Sequence, residues 1–418
     1  MRETIMSESR LQHVPFFEAL SRAKEGSPEW RLTSAGLVTL RLFDAWLIEG
    51  PSVVSAGAWG LRAVREAIEA MEAGSSSRAI LASIVDAMES AGMVRVPLVA
   101  PRLLAYARAL QFDGRWELAA DVHRTVIAHA HPVEEADIVI AANMQLGACM
   151  RTLADVDEAS MAYARAACVA AMSGDIVNVL RARISEANLA IDRGNFPHAQ
   201  SLLDETIRET SANGLVEVKA LALHARADVA IRRGEFEVAI QMAYEALDGL
   251  TAPSARDRVM SDIATAFYEL GMRSASRDAY LILAATAQEQ YMRWLATINL
   301  MECAATDQRE PMFEQYRREL ASETLPASLA CHYHLYVGQG FSLFGKTDQA
   351  RASLQRALDL AEQHHINEVL FRAEQSLEAL RDGGVVIIAA APEFSPTPEV
   401  ERIADAVRDM RELAGVAG

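Results

Sequence analysis

The sequence predicts an all-α chain, an α-solenoid of antiparallel helix pairs, on three observations. Its composition is rich in alanine and poor in aromatics, a short turn pattern recurs every 37 to 40 residues, and a small residue stands seven places before each recurrence. Only 6% of the residues are aromatic although 51% are hydrophobic. Alanine suits closely packed helices, whereas sheets draw on β-branched and aromatic side chains, so the balance favours helices. A chain of 418 residues is long enough for one extended array of such pairs.

The elements follow in chain order. Residues 13 to 24 and 29 to 49 read as two helices closed by Gly50 and Pro51, so residues 1 to 54 are expected to form a worn capping repeat. From residue 55 to 382 the turn pattern takes over: a small residue, often an aromatic two places on, and an alanine three places after that. Its clearest copies are Gly114, Trp116 and Ala119, then Gly194, Phe196 and Ala199, then Gly234, Phe236 and Ala239, and last Gly345 and Ala350. Weaker copies begin at Gly74, Ala154 and Gly271. The spacing is 40 from residue 74 to 234, then 37 to 271, then twice 37 to 345, which places a degenerate copy near Asp307 where Pro311 is expected to kink the stack. The small residues seven places earlier are Ala67, Ala107, Gly147, Ala187, Ala227, Ala264 and Gly338. Two antiparallel helices approach closely only where side chains are small, and glycine lets the chain leave the first helix in a left-handed turn. Beyond the repeats, Gly383 and Gly384 stop a helix, residues 385 to 391 have strand character, and residues 392 to 398 read as a linker. Residues 399 to 413 then form an amphipathic helix with Val400, Ile403, Val407, Met410 and Leu413 on one face.

This pattern resembles the tetratricopeptide repeat over residues 55 to 382, about eight repeats. The period of 37 to 40 exceeds the family's 34 and the closing proline is mostly missing, as in the longer variants of kinesin light chains and of the sensor regions of large bacterial transcription activators. The resemblance implies a right-handed superhelix in which helix A of each pair lines a concave groove and helix B forms the outer wall. By register the groove positions are Arg108 and Gln111, Met144 and Arg151, Arg181, Asn188 and Asp192, then His224, Asp228 and Arg232, then Arg258, Thr265 and Tyr268. Arg151, Arg181, Asn188, His224, Asp228 and Arg232 are expected on one shared surface. The family's clamp for chaperone tails is not reproduced: Asn188 matches one of its places, but Ile184 and Leu221 stand where polar or basic groups belong.

Composition and motifs narrow the function. A net charge of −17 argues against a nucleic-acid surface, which needs clustered cations. With Lys24, Lys219 and Lys346 the only lysines, nearly all positive charge is arginine. The four cysteines are scattered, so reduced core thiols are expected rather than disulfides or a thiolate metal site. Residues 1 to 10 have no apolar core and no run of eighteen apolar residues occurs, which predicts a soluble, cytoplasmic protein without a membrane segment. Gly340 to Thr347 fits the phosphate-loop pattern letter for letter, but Phe341, Leu343 and Phe344 would crowd a phosphate cradle, and Gly345 already serves as a repeat turn. Cys331, His332 and His334 offer at most two ligands on one helix face, so no metal is expected. No nucleophile elbow or zinc-protease helix occurs, and no enzyme or cofactor is predicted. The expected function is a scaffold or adaptor that binds a protein or peptide in the groove, and a homo-oligomer is compatible with this. The alternative is a bacterial regulatory sensor module that binds a small molecule or peptide and signals to a separate output protein. The last 27 residues, with six acidic and three arginine residues, offer no DNA-binding element.

Overall fold

The computed structural model describes residues 12–50, 60–90, 95–382 and 395–416. The strand-like run at 385 to 391 and the glycine stop at 383 and 384 lie outside the described residues, as do residues 1 to 10. Two compact units divide the chain, Met1–Leu202 and Leu203–Gly418, and every secondary-structure element among the described residues is helical.

The first unit opens with α1 (Val14–Arg22) and α2 (Pro28–Glu49), followed by the pair α3 (Leu61–Glu69) and α4 (Ser76–Ser90). The pairs α5 (Val96–Phe112) with α6 (Trp116–His129) and α7 (Ala136–Thr152) with α8 (Val156–Ser173) come next. Then α9 (Ile176–Asp192) leads to α10 (Phe196–Ala212), within which the division between the two units falls. In the second unit the pairs are α11 (Val216–Arg232) with α12 (Phe236–Gly249), α13 (Pro253–Glu269) with α14 (Arg273–Thr286), α15 (Gln290–Thr306) with α16 (Glu310–Ala321), and α17 (Ala327–Leu343) with α18 (Thr347–His364). It ends in α19 (Asn367–Arg381) and α20 (Pro398–Leu413).

The repeated turn has one hydrogen-bond signature. Gly114, Ala154, Gly194, Gly234, Gly271 and Gly345 all have φ between 60° and 78°, and Gln308 at 57° supplies the degenerate copy. The amide after each left-handed residue donates to the carbonyl five places back: Arg115 to Leu110 at 2.8 Å, Asn195 to Ala190 at 2.8 Å, Arg309 to Ala304 at 2.8 Å. This satisfies carbonyls that the end of helix A would otherwise leave bare. Gly74 departs from the pattern, because the short α3 ends at Glu69 and a looser turn without a left-handed glycine leads into α4. Pro311 produces no interior break: it stands in the first turn of α16, where its missing N–H has no helical partner to lose. The deviation of that repeat lies elsewhere, in the fully buried Met301 that takes the small-residue place and in a helix B of only 12 residues.

At the joints the small residues are packed. Ala107, Ala187, Ala227 and Ala264 are fully buried. A Cβ on Gly147 would lie 2.4 Å from the Tyr163 ring. Gly147→Ala therefore sets a gain in helix propensity of about 0.5–1 kcal/mol against overpacking of about 1–3 kcal/mol. Because the obstacle is a rigid ring, the loss should win. Chemical denaturation should show a lower midpoint, and a midpoint raised by the substitution would refute the close joint.

The C-terminal helix α20 docks on α12 and α14, the B helices of two pairs of the second unit. Val400, Ile403, Ala404 and Val407 join that unit's core, and Arg411 pairs with the buried Asp278 at 3.0 Å. Leu413 does not share the buried face: it is 89% exposed, at the last residue of the helix. Cys149, Cys303 and Cys331 are buried thiols as expected, whereas Cys168 is exposed on α8.

Candidate functional site

In the first unit, the A helices α5, α7 and α9 enclose a depression of about 330 Å³. Its lining includes Arg108 and Gln111 from α5, Met144 and Asp137 from α7, and Asn178 and Arg181 from α9. Four residues assigned to the groove by register, Arg108, Gln111, Met144 and Arg181, thus meet in one place. The spacing explains this: residues 3.6 per turn apart share a helix face, and the 40-residue period presents equivalent faces on successive A helices. Leu104 and Ile140 make part of the wall apolar.

The polar groups of the depression differ in what holds them. Asn178 donates to Asp175 at 2.6 Å at the start of α9, and Gln111 donates to the Cys149 Sγ at 3.0 Å. Arg108 is exposed and makes no ion pair among the described residues. The floor holds a residue that register did not select, His123, from helix B (α6). It is 1% exposed and neither ring nitrogen has a hydrogen-bond partner among the described residues. Burial pushes its pKa down to about 4, with the Arg108 guanidinium acting in the same direction, so the ring is neutral at pH 7. A buried polar group left unsatisfied costs about 1–3 kcal/mol. The register assigns only helix A to the groove and so passes over His123. The available signal was a lone polar residue among Leu118, Ala119, Ala120, Val122 and Val126, all buried.

The other register positions lie outside this depression. Arg151 is tied to Asp192 by an ion pair of 2.6 Å between α7 and α9, and Asn188 is half-buried on α9. In the second unit His224 pairs with Asp262 at 2.7 Å, and Arg232 pairs with Asp228 one turn back at 3.0 Å. Arg258 donates to its own helix at the Ser254 carbonyl, and Thr265 meets the Tyr280 hydroxyl at 3.0 Å. The Tyr268 hydroxyl lies 3.4 Å from Thr306. Near Tyr268, the buried Glu302 has its pKa raised to about 7 by burial against the opposing pull of Arg372, whose Nη2 is 3.7 Å away.

The phosphate-loop letters fold as helix and turn. Residues up to Leu343 close α17, Gly345 makes the left-handed turn, and Lys346 Nζ pairs with Glu310 at 2.7 Å. His332 donates from Nδ1 to the Ser328 carbonyl of its own helix at 2.9 Å. Among the described residues there is no group of three or more His, Cys, Asp or Glu able to hold a metal ion, and no helix is long and apolar enough to cross a membrane.

No protein-family model and no curated protein matches the chain. Several solved structures are similar to it. A tetratricopeptide repeat protein from Parabacteroides merdae is 14% identical, with 66% of this chain and 98% of that one covered, at a TM-score of 0.43. The Rap conjugation gene regulator of plasmid pLS20, solved in complex with the Phr* peptide, is 12% identical over 85% of this chain and 98% of its own, at 0.49. A Rap protein complexed with competence and sporulation factor is 10% identical over 84% and 97%, at 0.43. Scores under 0.5 leave each of these as a resemblance and no more.

Proposed function

We propose that this chain is a non-enzymatic scaffold or adaptor that binds a protein or peptide through the A-helix surface of its first unit. The observation that carries this reading is the depression where Arg108, Met144 and Arg181 converge from three successive A helices around the unpartnered ring of His123. An unpaired arginine beside a flexible thioether and an apolar wall is the mixture that anchors bound peptides, because it supplies charge recognition and adaptable packing together. Two other groove positions on the A helices are internally paired, Arg151 with Asp192 and His224 with Asp262.

A second reading is supported by the size of the depression, which falls in the range of small-ligand sites. It makes the chain a bacterial regulatory sensor module whose ligand is a small molecule or short peptide and whose output lies in another protein.

The test is selection of binders from a random synthetic peptide library with the intact chain, followed by titration of the best binder. Arg108→Ala should weaken it by about 2 kcal/mol, roughly thirtyfold, with unchanged circular dichroism because that side chain is exposed. Arg151→Ala should have a smaller effect, since its guanidinium is committed to Asp192. Full affinity in a folded Arg108→Ala, Met144→Ala double variant would move the binding site off this surface.

A further inference from the structure

We propose that the depression between α5, α7 and α9 is a carboxylate subsite, in which Arg108 and His123 together receive an acidic side chain or free C-terminus of the bound peptide. The inference rests on the groove reading above and adds the chemistry of the ligand.

His123 is the first ground. A side chain 1% exposed, with both ring nitrogens lacking hydrogen-bond partners among the described residues, sits in the lining of a depression. An apolar residue of similar volume would fill the same place without leaving polar atoms bare, so the ring is explained by a group that arrives from outside. Arg108 is the second ground. Its planar guanidinium makes no ion pair among the described residues, and its fork of donors matches the two oxygens of a carboxylate. A carboxamide would serve the imidazole equally well but would leave that charge unmatched.

Charge points the same way. Arg108 from α5 and Asp137 from α7 both line the depression, and no ion pair joins them among the described residues, so the guanidinium stays available to an anion from outside. Leu104, Ile140 and Met144 border the same space, and apolar walls strengthen a charge pair by excluding water. A carboxylate seated against a buried imidazole favours its protonated form, which burial and Arg108 oppose. Binding near neutral pH should thus draw a proton onto the ring, whereas attraction to surface arginines alone would draw none.

The experiment uses the intact chain and two synthetic peptide libraries that differ in one respect. One contains Asp, Glu and free C-termini, and the other is amidated and lacks both acids. Enrichment is expected from the first library alone. The best binder should lose tenfold or more in affinity when its acid is changed to the amide, and again when the protein carries Arg108→Gln or His123→Leu. Calorimetry in two buffers of different ionisation enthalpy should register proton uptake in the unsubstituted protein and none in His123→Leu. If that variant fails to fold, Arg108→Gln, at an exposed position, still decides the outcome. Re-synthesis of the binder with either its internal acid or its C-terminus blocked identifies which of the two is held, and competition by millimolar acetate or succinate reports whether free small carboxylates share the site. Equal enrichment from the acid-free library would overturn the carboxylate assignment while leaving the groove reading intact. No enrichment from either library would overturn both.

Discussion

Phe313→Ala is expected to destabilise the second unit by about 3–5 kcal/mol, the range for deleting a large aromatic side chain from a core that cannot close over the hole. Phe313 is fully buried, with its ring edge-on to Phe341 at 5.6 Å and tilted to Phe344 at 5.3 Å between centroids. The facing residue on α17 is Gly340, and a Cβ built there would fall 2.3 Å from the Phe313 ring. The ring thus fills a space that the glycine leaves open, and with no side chain at residue 340 nothing nearby can move in to refill it. Chemical denaturation followed by helical circular dichroism should show the loss. A midpoint equal to that of the unsubstituted protein would mean that this joint is not packed around the ring. This packing accounts for Gly340, Phe341 and Phe344, and the left-handed turn for Gly345, four residues of the phosphate-loop pattern, without any nucleotide.

How far the sequence could be read depended on whether a feature was local. The turns were legible because a left-handed residue with its five-back hydrogen bond is determined by a few neighbouring residues, and glycine is the cheapest way to supply it. Even the degenerate copy came within one residue: the spacing pointed near Asp307, and Gln308 takes the left-handed turn. Pro311 was misread because proline in the first turn and proline in the interior look alike until the helix start at Glu310 is known. Leu413 was misread for a related reason, since helical spacing continues a face past the point where the partner helices stop covering it.

The site was legible only in half. Register places Arg108, Met144 and Arg181 on equivalent faces of successive A helices, and the three line one depression. It could not say which aligned side chains would already be spent on one another. Arg151 and Asp192 are 41 residues apart and His224 and Asp262 are 38 apart, so each pair depends on the side-chain geometry of adjacent repeats rather than on local pattern. His123 escaped because its access to the groove is a consequence of how α6 is set between α5 and α7, which no spacing within α6 reveals.

Asp44→Asn is expected to cost the first unit about 3–5 kcal/mol at pH 6, the penalty for breaking one partner out of a buried charge network. His13, buried at the head of α1 with φ of 49°, places its Nδ1 2.7 Å from Asp121 of α6 and its Nε2 3.0 Å from Asp44 of α2. The second Asp44 oxygen lies 2.7 Å from Nε2 of His129. Asp44 therefore ties both ends of the arrangement, and a neutral amide cannot balance the imidazolium. Burial alone pushes the His13 pKa down, but the hydrogen bonds and charges of Asp121 and Asp44 outweigh it and raise the pKa to about 9. For Asp44, burial pushes upward and is outweighed by His129 and His13, which hold the carboxyl below its ordinary value. A group whose folded pKa is raised contributes fully below its unfolded pKa and loses that contribution as pH rises through the folded one. The His13 contribution is thus complete below about 6.5 and lost on passing about 9. The Asp44 contribution has the opposite sense: it is present above the ordinary carboxylate range and lost as pH falls below it. Denaturation at pH 6 and pH 9.5 should show the unsubstituted protein weakening at the higher value, and Asp44→Asn, starting lower, should weaken less between the two. Equal stability of the unsubstituted protein at both pH values would mean that His13 does not carry the charge that its two carboxylates are placed to receive.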